Sequence, residues 1–123
     1  MPHVNDATIA VIDDDGDVRD VLSVLLEDCG HPVRVYDSGH AFLADSERDH
    51  IACLIVDQKM PHMSGTQLLA ELDLRGVHVP SLLITGAHDR DVADGALNEG
   101  AMAVLEKPLE PTRLLQLVAL AVN

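Results

Sequence analysis

Apolar residues along this chain fall into two rhythms. Short apolar runs of strand length stand at Thr8–Ile12, Pro32–Tyr36, Ile51–Val56, Ser81–Ile84 and Met102–Leu105. Segments with helical spacing of apolar positions alternate with them, at Asp17–Asp28, Gly39–Ser46, Gly65–Leu74, Asp89–Glu99 and Pro111–Val122. A strand-then-helix unit repeated through a chain of 123 residues predicts a parallel sheet covered by helices on both faces. Right-handed crossovers leave few ways of winding such a chain. The expected architecture is α/β, a doubly wound (βα)5 three-layer sandwich with strand order 2-1-3-4-5, formed as one domain over residues 1–123.

The helical segments are not equally well specified. In the first, Asp15 or Asp17 caps the N-terminus, Val18, Val21, Leu22 and Leu25 line one face, and Gly30 suits the position just past the end. The fourth, Asp89–Glu99, contains the weak helix formers Asp91, Asp94, Gly95 and Asn98, and an interior Gly costs about 1 kcal/mol against Ala. It is expected to be the most mobile helix. In the last, only Gln116 is polar between Leu114 and Val122, so the apolar surface is wider than one core-facing stripe. Either small residues such as Ala119 and Ala121 face water, or a partner subunit or further domain covers the excess.

Composition narrows the classes. A hydrophobic content of 47% suits a globular core, and no apolar run is long enough to span a membrane. Met1–Asp6 has neither a basic nor an apolar region, so no export signal is expected and the location is read as cytoplasmic. Cys29 and Cys53 lie in apolar segments and are expected to be buried small hydrophobes. The formal net charge is −13, and the eight basic residues are scattered without a stripe. Phosphate backbones are held by clustered Lys and Arg, so no nucleic-acid binding is expected of this domain. The acidic surface favours partners with basic patches.

Chemistry gathers at the strand ends. In an open α/β sheet, ligands bind beyond the carboxyl ends of the strands, where the winding reverses between the first and third strands. Those two strands end in Asp13-Asp14-Asp15 and in Asp57. The fourth and fifth end in Thr85 and Lys107. Each piece has an ordinary explanation alone: acidic residues favour helix N-termini, and Thr-Gly and Lys-Pro are common turn dipeptides. Together they place carboxylates, a hydroxyl and an ammonium on one rim. Converging carboxylates repel one another and call for Mg²⁺, with Mn²⁺ a substitute, and such a set suits phosphoryl transfer to a carboxylate.

The motifs Val11-Ile-Asp-Asp-Asp15, Asp57-Gln-Lys-Met-Pro-His-Met-Ser-Gly65, Leu83-Ile-Thr-Gly86 and Glu106-Lys-Pro108 resemble the receiver domain of two-component response regulators, most nearly the FixJ-like subgroup. The resemblance covers essentially the whole chain and implies a flavodoxin-like fold. It implies that Asp57 accepts a phosphoryl group from a sensor histidine kinase or histidine phosphotransferase. Asp14, Asp57 and the main-chain carbonyl of Lys59 would ligate Mg²⁺, with Asp13 acting through a water of the ion. Thr85 and Lys107 would contact the phosphoryl group, and the Lys107–Pro108 peptide would be cis. Lys59, two residues after Asp57, would govern water attack on the acyl phosphate. A homodimer of this chain, where one forms, is expected to use the fourth helix, fifth strand and fifth helix. The chain departs from the pattern at Val104, where the family usually carries Tyr or Phe. A short β-branched side chain cannot make the aromatic's inward swing, so switching is expected to run through order and disorder of the fourth helix. Similar receivers often precede a helix-turn-helix domain, and a stand-alone regulator and an excised domain both fit this chain.

Two other readings compete. Asp13-Asp-Asp15-Gly16 has the Asp-x-Asp-Gly form of haloacid-dehalogenase-type phosphatases, with Asp13 as nucleophile and Asp15 as acid/base, but Asp57 would then have no role. A receiver-like module that binds partners without phosphorylation fits Val104 but leaves the acidic cluster, Thr85 and Lys107 unexplained.

Overall fold

A computed structural model describes residues 7–46, 50–86, 95 and 100–123. Its strands are β1 (Thr8–Ile12), β2 (Val33–Tyr36), β3 (Ile51–Asp57), β4 (Ser81–Thr85) and β5 (Ala103–Glu106). They form one parallel sheet in the order β2-β1-β3-β4-β5. The described helices are α1 (Gly16–Asp28), α2 (Gly39–Ala44), α3 (Gly65–Leu74) and a C-terminal helix (Pro111–Val122). The helix expected over Asp89–Glu99 lies outside the described residues apart from Gly95, and the expectation about its mobility lies there too.

The strands are apolar runs, yet their side chains alternate between two cores. Ala10 and Ile12 of β1, Leu54 and Val56 of β3 and Leu83 of β4 join Phe42 and Leu43 of α2 and Leu68, Leu69 and Leu72 of α3. Ile9, Val11, Cys53, Ile55, Leu82 and Ile84 face the other way, onto Leu22 and Leu26 of α1 and Leu114, Leu117 and Val118 of the C-terminal helix. Two-sided burial is what allows a strand to dispense with polar positions. Each fully buried aliphatic side chain contributes about 1.5–3 kcal/mol, so the central strands hold the platform on which the loops stand.

Helix ends are fixed by local chemistry. Asp15, not Asp17, caps α1, accepting from the Asp17 and Val18 N–H groups. Past its end, Gly30 takes φ 88°, and the amides of Gly30 and His31 bond back to Glu27 and Leu26. Gly76 closes α3 in the same way, at φ 72°. Ser64 and Gln67 form a capping box on α3. Glu110 caps the C-terminal helix, with Pro111 in its first turn.

Three expectations need correction. Val21 is 66% exposed, and Leu26 occupies the core place given to it, because the buried face of α1 turns through Leu22 and Leu26. Cys29 is exposed at the C-cap of α1, where the chain leaves the helix, while Cys53 is buried as expected; both are free thiols. The second helix stops at Ala44 instead of Ser46. Its C-cap residue, Asp45, adopts extended backbone and accepts from the Tyr36 hydroxyl while pairing with Arg34 at 3.2 Å. On the C-terminal helix, Leu120 is 67% exposed. No helix among the described residues is long and apolar enough to cross a membrane.

Candidate functional site

The register of the sheet brings the predicted residues to one edge. Ile12 pairs with Val56, so Asp13 and Asp57 emerge side by side from β1 and β3. Thr85 ends β4, and the Lys107 amide donates to the Thr85 carbonyl at 2.8 Å, carrying the β4–β5 pairing one residue past the strand. The Lys107–Pro108 peptide is cis. Asp13, Asp57 and Thr85 are buried, Asp14 is exposed, and Lys107 is half-exposed. Lys59 lies exposed in the β3–α3 loop, two residues beyond Asp57.

Carboxylate oxygens of Asp13, Asp14 and Asp57 all lie within 4.8 Å of one another. Lys107 Nζ sits 3.0 Å from Asp57 Oδ1. That hydrogen bond chiefly raises the Lys107 pKa, against the opposing effect of burial, and the charges of Asp57, Asp13 and Asp14 reinforce it. Burial pushes the Asp13 carboxyl up to about 6; the Asp15 amide opposes the shift, Asp57 and Asp14 add to it, and Lys107 counters. Among the described residues, two buried atoms, Asp13 Oδ2 and Thr85 Oγ1, have no hydrogen-bond partner. Buried polar groups without partners are uncommon and mark places where a ligand completes the bonding. Hard carboxylate oxygens, a partnerless one among them, fit a divalent cation such as Mg²⁺. The ammonium and the free hydroxyl suit the oxygens of a tetrahedral anion.

The loops that hold these groups contain residues the sequence reading passed over. Gln58, next to Asp57, donates its main-chain N–H to the Ile84 carbonyl at 2.8 Å. Its side-chain oxygen accepts from the Thr66 amide at 2.8 Å, and its side-chain nitrogen donates to Thr66 Oγ1 at 3.2 Å. The Gly65 amide closes the loop on the Gln58 carbonyl at 3.1 Å. A Cβ on Gly65 would stand 2.5 Å from Leu83 Cδ1 and 2.8 Å from the Asp57 carbonyl oxygen, so only glycine lets α3 start so close to β3. Arg19 Nη1 donates to the Asp13 carbonyl at 2.7 Å. Nothing in the periodicity marks Gln58 or Arg19, because each makes its contacts outside the apolar stripe that periodicity detects.

Residues 9–119 match the response regulator receiver domain family. The chain belongs to that family. This receiver is 35% identical over 115 residues to the transcriptional regulatory protein FixJ of Rhizobium meliloti, covering 94% of this chain and 56% of that protein. It is 38% identical over 110 residues to FixJ of Azorhizobium caulinodans, covering 89% and 52%. Among solved structures, FixJ-N superposes with a TM-score of 0.86 at 33% identity, covering 99% of this chain and 95% of that one. A receiver domain protein from Clostridium thermocellum gives 0.86 at 32% identity, covering 95% and 94%. The chain thus spans about half the length of the regulators it matches, and the part matched is their receiver of the two-component system. Both the FixJ-like resemblance and the flavodoxin-like order 2-1-3-4-5 stand.

Proposed function

We propose that this receiver accepts a phosphoryl group onto Asp57 from a phosphohistidine of a sensor histidine kinase or histidine phosphotransferase, and acts as a switch rather than a turnover enzyme. The observation that carries the reading is the setting of Asp57: 4% exposed, bridged to Lys107 at 3.0 Å, with the Asp13 and Asp14 carboxylates inside 4.8 Å. Asp57, Asp14 and the Lys59 main-chain carbonyl would hold Mg²⁺ directly, with Asp13 at one remove. The bound ion supplies positive charge that offsets the phosphoryl oxygens and the carboxylate cluster.

In the transfer, one Asp57 oxygen attacks phosphorus in line. A P–O bond forms, the P–N bond breaks, and the imidazole leaves with the electron pair. Lys107 shifts its hydrogen bond from Asp57 Oδ1 to a phosphoryl oxygen, and the buried Thr85 hydroxyl, without a partner among the described residues, donates to another. Hydrolysis of the acyl phosphate resets the switch, and Lys59 would slow it by shielding the phosphoryl group. The phosphatase reading gains no support, because the Asp15 carboxylate is engaged as the cap of α1.

Intact mass after incubation with acetyl phosphate tests the proposal. A gain of one phosphoryl group is expected, requiring Mg²⁺ and lost in Asp57→Asn. If neither acetyl phosphate nor a phosphorylated histidine kinase labels Asp57, the proposal fails in favour of a receiver that binds partners without phosphorylation. Lys59→Ala is expected to shorten the lifetime of the phosphorylated form severalfold; an unchanged decay would remove Lys59 from the mechanism.

A further inference from the structure

Arg19 stands half-buried on α1, and its side chain turns back over the start of the helix, the direction in which helical side chains lean. Nη1 reaches the main-chain carbonyl of Asp13 at 2.7 Å. Gly16 lies under that path: a Cβ there would stand 3.3 Å from Arg19 Nη2, close enough to press on the guanidinium. The carbonyl that Arg19 grips belongs to the peptide joining Asp13 to Asp14. Asp13 is held at two other points: its amide donates to the Tyr36 carbonyl at 3.1 Å, and its Oδ1 accepts from the Asp15 amide at 2.9 Å. The Arg19 bond adds a third hold, on the peptide that leads to exposed Asp14.

Two effects of Arg19 on a cation site oppose each other. Its charge repels the ion, and its hydrogen bond presents the ligands. The charge is partly exposed and screened by salt. The bond is a short one from an ionised donor, among the stronger kinds, and it acts on the peptide that carries two of the three carboxylates.

We propose that Arg19 is a positioning residue for divalent-cation binding, fixing the Asp13–Asp14 peptide so that both carboxylates face the ion together with Asp57. The inference rests on the metal-binding reading of this site. The test is a Mn²⁺ titration of the full chain, with free Mn²⁺ followed by electron paramagnetic resonance, on wild type, Arg19→Ala, Arg19→Lys and Gly16→Val. Arg19→Ala and Arg19→Lys are both expected to weaken binding by about tenfold, the lower end for groups that support metal ligands. Gly16→Val keeps the charge but crowds the guanidinium, and is expected to weaken binding less than Arg19→Ala does. If Arg19→Ala binds more tightly and Arg19→Lys binds like wild type, Arg19 acts through charge alone and the proposal is wrong. Equal affinities throughout would also overturn it while leaving the metal site standing. Arg19→Lys should melt with the wild type in the absence of ion; a loss of affinity seen only in variants that melt lower would count against positioning. A wild type that binds no Mn²⁺ would overturn both the metal reading and this inference.

Discussion

Asp13 carries a carboxyl group into surroundings that disfavour its charge. Burial holds its pKa near 6 in the folded chain, against the ordinary 3.8. The folded state therefore binds this proton more tightly than the unfolded one. Above about pH 6 neither state holds it, and below 3.8 both do, so this group adds stability as the pH falls from 6 to 3.8 and takes it away as the pH rises. Asp13→Asn is expected to melt higher than wild type at pH 7 in the absence of metal, with the gap closing towards pH 4. Calorimetric scans across that range would show it, and a gap independent of pH would contradict the assignment. The residues with visible chemistry, Asp13, Asp14, Asp57, Thr85 and Lys107, were legible in the sequence because each stands at or within two residues of the end of an apolar run. Arg19 and Gln58 were not. Their partners, a carbonyl six residues back and an amide eight residues ahead, follow no repeating interval.

Elements were legible to within a residue or two at most ends, and the shifts have causes. β3 and β4 each extend one residue past the apolar run, to Asp57 and Thr85, because ladder bonds engage the main chain whatever the side chain is. The α2 segment ends early because Tyr36 and Arg34 both engage the Asp45 carboxylate, and both lie on β2, far enough in sequence to be invisible to a helical pattern. Where two elements meet, tolerance is small. At Gly65 any side chain would intrude on Leu83 and on the Asp57 backbone. Gly65→Ala is expected to cost about 1–3 kcal/mol through overpacking. Because the displaced backbone belongs to Asp57, the same variant should phosphorylate more slowly than its stability loss accounts for. Chemical denaturation alongside acetyl phosphate labelling separates the two effects, and a stability and labelling rate equal to wild type would refute the close approach.

Across the whole molecule the net charge of −13 and the carboxylate cluster act together. An ion that binds only the folded state stabilises it by mass action, by about 2.7 kcal/mol at a hundred times its dissociation constant. Mg²⁺ is therefore expected to raise the melting temperature of wild type beyond the rise given by monovalent salt at equal ionic strength. EDTA should reverse it, and Asp57→Asn should blunt it. A rise matched by NaCl would reduce the effect to general screening. The sequence by itself determined the fold class and the rim of strand ends where the polar residues gather, and it narrowed the strand order to a few windings. Apolar runs of strand length alternating with helical segments admit few windings, and a strand's end is where a polar side chain can first meet solvent. Tertiary structure decided which groups touch: the Lys107–Asp57 pair, the Gln58 clamp and the Arg19 bond to Asp13. Those contacts depend on register and loop closure, which join residues remote in sequence through distances that no local pattern encodes.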